Sequence, residues 1–175
     1  MALDPTLLLS VRFGAALLFA TAAWHKVVGW PRITGVIAAY RLAPERASTV
    51  IAALLVGLEI GAALAAALSP VGLYGAAALL LLYAGAIGLN MWRGNRFIDC
   101  GCLGFARGRP QLKPAMVVRN MALAGVALVA ATQSAQARPL VWIDYLSVAG
   151  CLLCGALIYA ALEVAMALPA KDARS

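Results

Sequence analysis

Charged residues are so sparse along this chain that long apolar runs stand out between them. Crossing a bilayer core takes about 20 mostly apolar residues in a helix. Runs at 7–28, 48–68, 71–92, 115–132 and 142–168 meet that requirement. The first is broken only by Arg12, the second carries Glu59, and the third has no charge at all. The fourth is short, with Arg119 near its start, and the fifth has Glu163 close to its end. Because the fourth is the weakest, the pattern predicts four to five spans. Residues 31–42 are amphipathic and predict a short helix lying along the membrane surface. Ser69 and Pro70 predict a tight turn between the second and third spans, and residues 93–114 form a long polar loop after the third. There is no internal repeat, low-complexity tract or second domain. The expected fold is all-α: a polytopic transmembrane helical bundle with residues 1–175 as a single integral membrane domain.

Composition supports lipid as the solvent. The chain is 64% apolar and 12% charged, with a mean hydropathy of +0.91; an average soluble domain is about half apolar and a quarter charged. A formal charge of +7 raises the question of nucleic acid, but that reading needs a soluble basic face. Here the bases fall between apolar runs, so the expected partner is the bilayer, with no nucleic acid. The first run differs from a cleaved signal, which wants bases before its apolar core; Asp4 precedes the run and no base comes before Arg12. It reads as a retained helix. With five spans, twelve of the fourteen Lys and Arg fall on one side, leaving Arg12 and Arg138 on the other. The bias toward basic cytoplasmic loops then puts the N-terminus outside and the 93–114 loop in the cytoplasm.

The four cysteines come as two pairs. Cys100 and Cys102 flank Gly101, directly after Asp99. Thiols one residue apart close only into a strained ring, for which the central glycine supplies backbone freedom, and a strained disulfide is labile rather than structural. Arg93, Arg96, Arg107 and Arg109 in the same loop favour thiolate, while Asp99 opposes that effect and is placed to accept a proton during exchange. Redox chemistry, soft-metal binding and a structural loop are the three readings of this motif. Cys151 and Cys154 are three residues apart in the fifth span, hence on one helical face and near the middle of the bilayer. A dithiol at that depth could meet a membrane quinone; it reads equally well as two packing residues.

Glu59 stands near the middle of the second span. A carboxylate at that depth needs a partner or a proton, and Arg12, Arg119 and the His25-Lys26 pair are the candidates. A proton relay or a quinone ligand is the functional reading, a buried ion pair that fixes packing the structural one. Gly57 and Gly61 flank Glu59 at a spacing that permits close helix approach. His25, the single histidine, reads first as an interfacial residue.

Taken in order, His25-Lys26, Tyr40-Arg41-Leu42-Ala43-Pro44, Leu58-Glu59, Arg93-Gly94, Asp99-Cys100-Gly101-Cys102 and Arg119-Asn120 resemble the methylamine utilisation MauE family, part of the DoxX-like group of small helical membrane proteins. The resemblance covers roughly residues 17–130. Leu103 departs from the family's usual phenylalanine, and Cys151 and Cys154 lie beyond the matched part. The resemblance implies a role in processing or disulfide formation of a periplasmic client, such as the disulfide-rich beta subunit of methylamine dehydrogenase, alongside a thioredoxin-like, MauD-type partner.

The expected function is therefore thiol–disulfide exchange at the cytoplasmic (inner) membrane. Cys100, Cys102, Cys151 and Cys154 are the expected redox residues. Asp99, Gly101, Glu59, His25, Lys26, Arg41, Arg96 and Arg119 support them, and a quinone is the candidate acceptor. No resident metal is expected. A membrane scaffold without redox activity and a soft-metal carrier are the alternatives. A cytoplasmic Cys100–Cys102 loop is in tension with a periplasmic client, unless the loop folds into the bundle or electrons cross the membrane.

Overall fold

A computed structural model describes residues 2–41, 44–95, 112–135 and 138–167. Six helices dominate it: α1 Pro5–Val28, α2 Trp30–Tyr40, α3 Ser48–Leu68, α4 Gly72–Trp92, α5 Pro114–Thr132 and α6 Trp142–Ala167. All except α2 are long and apolar enough to cross a membrane. The chain is thus a multi-pass helical membrane protein, and among the described residues five helices qualify as spans, including the short fourth one. A two-residue parallel pair, β1 Ala2–Leu3 with β2 Ser134–Ala135, joins the segment before α1 to the one after α5.

Local chemistry marks the helix ends. Asp4 caps α1 by accepting from the Thr6 N–H at 2.8 Å, with proline in the first turn, where its missing donor costs nothing. Gly29 separates α1 from α2, and α2 stops at Arg41, whose φ of 50° is left-handed. A 3-10 turn, Glu45–Ala47, then leads into α3. Between α3 and α4 the chain reverses so closely that a side chain at Gly72 would run into the Ala65 backbone. Arg12 reaches across from α1 to the last turn of α3, donating to the Ala66 and Ala67 carbonyls at 3.1 and 2.6 Å. It thereby satisfies acceptors a helix end leaves open, with a cation where the helix dipole favours one.

The core is built largely from small residues. Ala62, Ala63 and Ala66 of α3, Ala76 and Ala77 of α4, and Ala124, Ala127 and Ala130 of α5 are buried around Phe19 and Leu73. Small side chains allow close helix approach where lipid supplies no hydrophobic drive between helices. On α3 the inward face is Ala52, Val56, Glu59, Ala63 and Ala66, the 3.6-residue stripe through Glu59. Gly57 and Gly61 lie off that stripe with open space around them. The glycine pair therefore does not make the close approach its spacing suggested; the alanines do. Helix α6 packs chiefly on α1 and leaves most of its surface outward, including Leu146, Leu153, Leu157 and Ile158.

Candidate functional site

Glu59 is fully buried, and its partner comes from α1. The Lys26 ammonium, 4% exposed, lies 2.6 Å from Glu59 Oε1. The same oxygen accepts from the Tyr83 hydroxyl of α4 at 2.6 Å, and the Lys26 ammonium sits 5.4 Å from the Tyr83 ring centre. Charge, hydrogen bond and ring face thus converge on one pair, as a charge in an apolar interior requires.

A second group has the same composition. Arg119 of α5 pairs with Glu163 of α6, donates to Asn120 Oδ1 at 3.3 and 3.1 Å, and lies 5.4 Å from the Tyr159 ring centre. Each group contains a cation, a carboxylate and a tyrosine. Between them is a cavity of about 20 Å³ whose lining includes Phe19, Glu59, Tyr83, Arg119, Asn120 and Tyr159. All five spanning helices contribute to this cluster. Lys26 and Arg119 lie toward the α1 C-terminus and the α5 N-terminus, while Glu59 and Tyr83 stand at the middle of α3 and α4, so the cluster extends from the end of the bundle from which residues 93–113 depart to its middle.

At that same end Asn95 donates to the Ala39 carbonyl at 3.1 Å, tying the end of α4 to α2. Asn90, fully buried, donates to Ala86 O at 3.0 Å. Arg41 is exposed and lines a recess with Tyr40, Asn90, Arg93, Gly94 and Asn95. His25 is half-buried beside Lys26. Of the supporting residues read from the sequence, the structure brings Glu59, Lys26 and Arg119 to one cavity or its edge and leaves Arg41 outside it. Arg96, Asp99, Cys100, Gly101 and Cys102 lie outside the described residues.

Cys151 and Cys154 are free thiols on the exposed surface of α6 and do not line the cavity. Among the described residues no group of three or more His, Cys, Asp or Glu could hold a metal ion.

Sequence reading missed Tyr83, Tyr159 and the role of Glu163. Tyr159 and Glu163 are four apart on α6, the spacing that stacks two side chains on one face, so a signal existed. Tyr83 had none, being one of two tyrosines, with Tyr74, in an uncharged span.

The opposite end carries a different arrangement. Arg138 donates to Asp4 at 3.1 Å and to Asp144 at 2.8 Å, while Asp144 accepts from the Val141 N–H at 2.8 Å. The hydrogen bonds from Thr6 and then Arg138 hold the Asp4 carboxyl down to about 2. Its two carboxylate partners, Asp144 first, push the Arg138 guanidinium above its ordinary value.

Fold and site together define a small polytopic helical membrane protein with two paired charge groups buried among its spans. The chain belongs to the MauE family: the family model described as "Methylamine utilisation protein MauE" matches residues 4–133. It is 37% identical over 134 residues to the methylamine utilization protein MauE of Paracoccus denitrificans, covering 74% of this chain and 71% of that one. With the protein of the same name from Methylophilus methylotrophus it shares 31% identity over 170 residues, 95% and 90% of the two chains. The Paracoccus versutus protein is 37% identical over 141 residues, 78% of this chain and 74% of its own. No solved structure matches the chain. The family match covers Lys26, Glu59, Tyr83, Arg119, Asn120 and the Asp99–Cys102 motif, and stops before α6.

Proposed function

We propose that this protein serves methylamine utilisation, as its relatives' names read, through thiol–disulfide exchange in the cytoplasmic membrane. The exchange supports maturation of a disulfide-rich periplasmic client such as the beta subunit of methylamine dehydrogenase, with a thioredoxin-like, MauD-type partner. The observation that carries this reading is the Asp99-Cys100-Gly101-Cys102 motif inside the family-matched stretch. One thiolate of the reduced member attacks the disulfide of the other, and the mixed disulfide is resolved by the second thiol. Two electrons and two protons pass between the proteins, and the number of disulfides is unchanged. Asp99 is the proton acceptor next to the attacking thiol. Cys151 and Cys154, or a membrane quinone, form the next redox station.

A Cys100→Ala or Cys102→Ala protein is expected to leave the client's thiols reduced in cells, read as a mass shift after alkylation and non-reducing electrophoresis. Normal client oxidation in either variant overturns the proposal. Labelling intact spheroplasts with a membrane-impermeant thiol reagent tests the sidedness. Cytoplasmic loops, as the charge bias has it, leave Cys100 and Cys102 protected until the membrane is opened; labelling from outside, after reduction, reverses that orientation.

A specific observation favours a second reading, a membrane scaffold that holds client and partner together. Cys151 and Cys154 are exposed on α6 and do not line the buried cavity, which supports a reading in which the bundle interior serves packing rather than thiol exchange. The scaffold reading predicts that function survives replacement of all four cysteines.

A further inference from the structure

Two buried polar atoms beside the central cavity have no described residue to satisfy them. Glu59 Oε1 receives both Lys26 and Tyr83, while Oε2 of the same carboxylate receives nothing. Asn120 uses Oδ1 for both bonds from Arg119, while Nδ2 donates to nothing. The amide orientation follows from those bonds: a guanidinium donates only, so the oxygen must face Arg119 and the amino group must face away. Both side chains are at least 98% buried, and both line the same cavity of about 20 Å³.

These facts select an occupant. Buried in an apolar bundle, a bare carboxylate oxygen and a bare amide donor would each cost several-fold to tens-fold in the folding equilibrium. A cation is disfavoured because Lys26 and Arg119 already balance Glu59 and Glu163. An anion would meet the open lone pairs of Glu59 Oε2. What fits is a small neutral group that donates on one side and accepts on the other. A cavity of this size holds about one water.

We propose that the cavity is a binding site for a single ordered water, which donates to Glu59 Oε2 and accepts from Asn120 Nδ2. With it in place the two ion pairs become one hydrogen-bonded chain: Lys26, Glu59, water, Asn120, Arg119, Glu163. The chain crosses from α1 to α6 through α3 and α5, and Tyr83 joins it from α4. All five spanning helices are then held by one polar network that reaches the middle of the bundle. The proposal is independent of the thiol chemistry, since none of its groups is a cysteine and its test needs no activity.

The test uses the full chain. A crystal structure grown from a lipid phase, at a resolution that shows solvent, is expected to have a water within hydrogen-bond reach of both Glu59 Oε2 and Asn120 Nδ2. A dry cavity, or a direct Glu59–Asn120 hydrogen bond, overturns the site. Infrared difference spectra after exchange from ordinary water into ¹⁸O-water give a second readout in lipid nanodiscs. The wild type is expected to show an isotope-shifted band from a buried water, and Asn120→Leu to lose it. Absence of the band in wild type, or its persistence unchanged in folded Asn120→Leu, also overturns the proposal. Should Asn120→Leu fail to fold, the wild-type measurements decide alone.

Discussion

The two ends of this bundle use the same chemistry in different solvents. At one end Lys26 and Glu59 are 4% and 0% exposed; at the other Arg138 and Asp4 are 35% and 38% exposed, and of that clasp only the second carboxylate, Asp144, is buried, at 8%. Geometry alone would rank them as equals, since both ends join a cation and carboxylates from separate parts of the chain. Burial separates them. An exposed pair works against water and salt and contributes little, whereas a buried pair has replaced its hydration with protein groups and becomes costly once one partner is removed. The lesson is that an ion pair's weight in this protein follows from what surrounds it, not from its length.

The largest effect that would break this comparison comes from leaving one buried charge alone. Lys26→Met and Glu59→Leu should each destabilise the protein by about 3–5 kcal/mol, while the double variant recovers much of the loss. Unfolding in detergent–lipid mixtures measures this, and equal, small losses in all three variants would erase the distinction between the two ends. Arg119→Met and Glu163→Leu should follow the same non-additive pattern, because that pair is also nearly buried, at 8% and 10%.

An intermediate effect sharpens the comparison within the buried end. Tyr83→Phe keeps the ring beside Lys26 but removes the donor to Glu59. It should cost about 1.5–3 kcal/mol, the range for a hydrogen bond to a charged group, and the same assay reads it. A cost near zero would mean that the ring, not the hydroxyl, is what Lys26 and Glu59 require.

The smallest effect belongs to the exposed clasp. Asp4→Asn, which removes only the exposed carboxylate and leaves Arg138 on Asp144, should lower the unfolding temperature slightly, and added salt should shrink that difference by screening. The clasp also has a definite pH window. Asp4 is depressed from 3.8 to about 2, so it binds its proton more weakly in the folded protein than in the unfolded chain. Its contribution is complete above about 4 and is lost as pH falls through about 2. Comparing unfolding of wild type and Asp4→Asn across that window checks the sign; a gap that widens on acidification would contradict it.

Much of the fold was legible in the sequence because bilayer thickness converts directly into run length. Five apolar runs became five spanning helices, and residues 31–42 announced α2, observed at Trp30–Tyr40. The short run after residue 114 was ambiguous by count, yet it packs tightly on α4 and belongs to the bundle. The small-residue rule pointed to Gly57 and Gly61, but the buried face of α3 runs through Ala52, Ala63 and Ala66 instead. Two adjacent small-residue stripes existed on one helix, and only the position of α4 and α1 chose between them. For the site, Glu59 stood out as a charge in the wrong solvent. Its partner did not, because Arg12, Arg119 and Lys26 were all within the reach of a long side chain. Arg12 turned to the carbonyls of Ala66 and Ala67, leaving Lys26 to reach inward from the end of α1.

Sequence by itself determined the solvent, the helices and the presence of charges that lipid cannot tolerate alone. These follow from composition and period, which are local properties of the chain. Tertiary structure decided which charges meet, that two groups of cation, carboxylate and tyrosine share one cavity, and that Cys151 and Cys154 are exposed rather than lining it. Those outcomes depend on the rotation of each helix about its own axis. Rotation is set by packing against neighbouring helices, a sum over contacts from distant parts of the chain that no single run of residues contains.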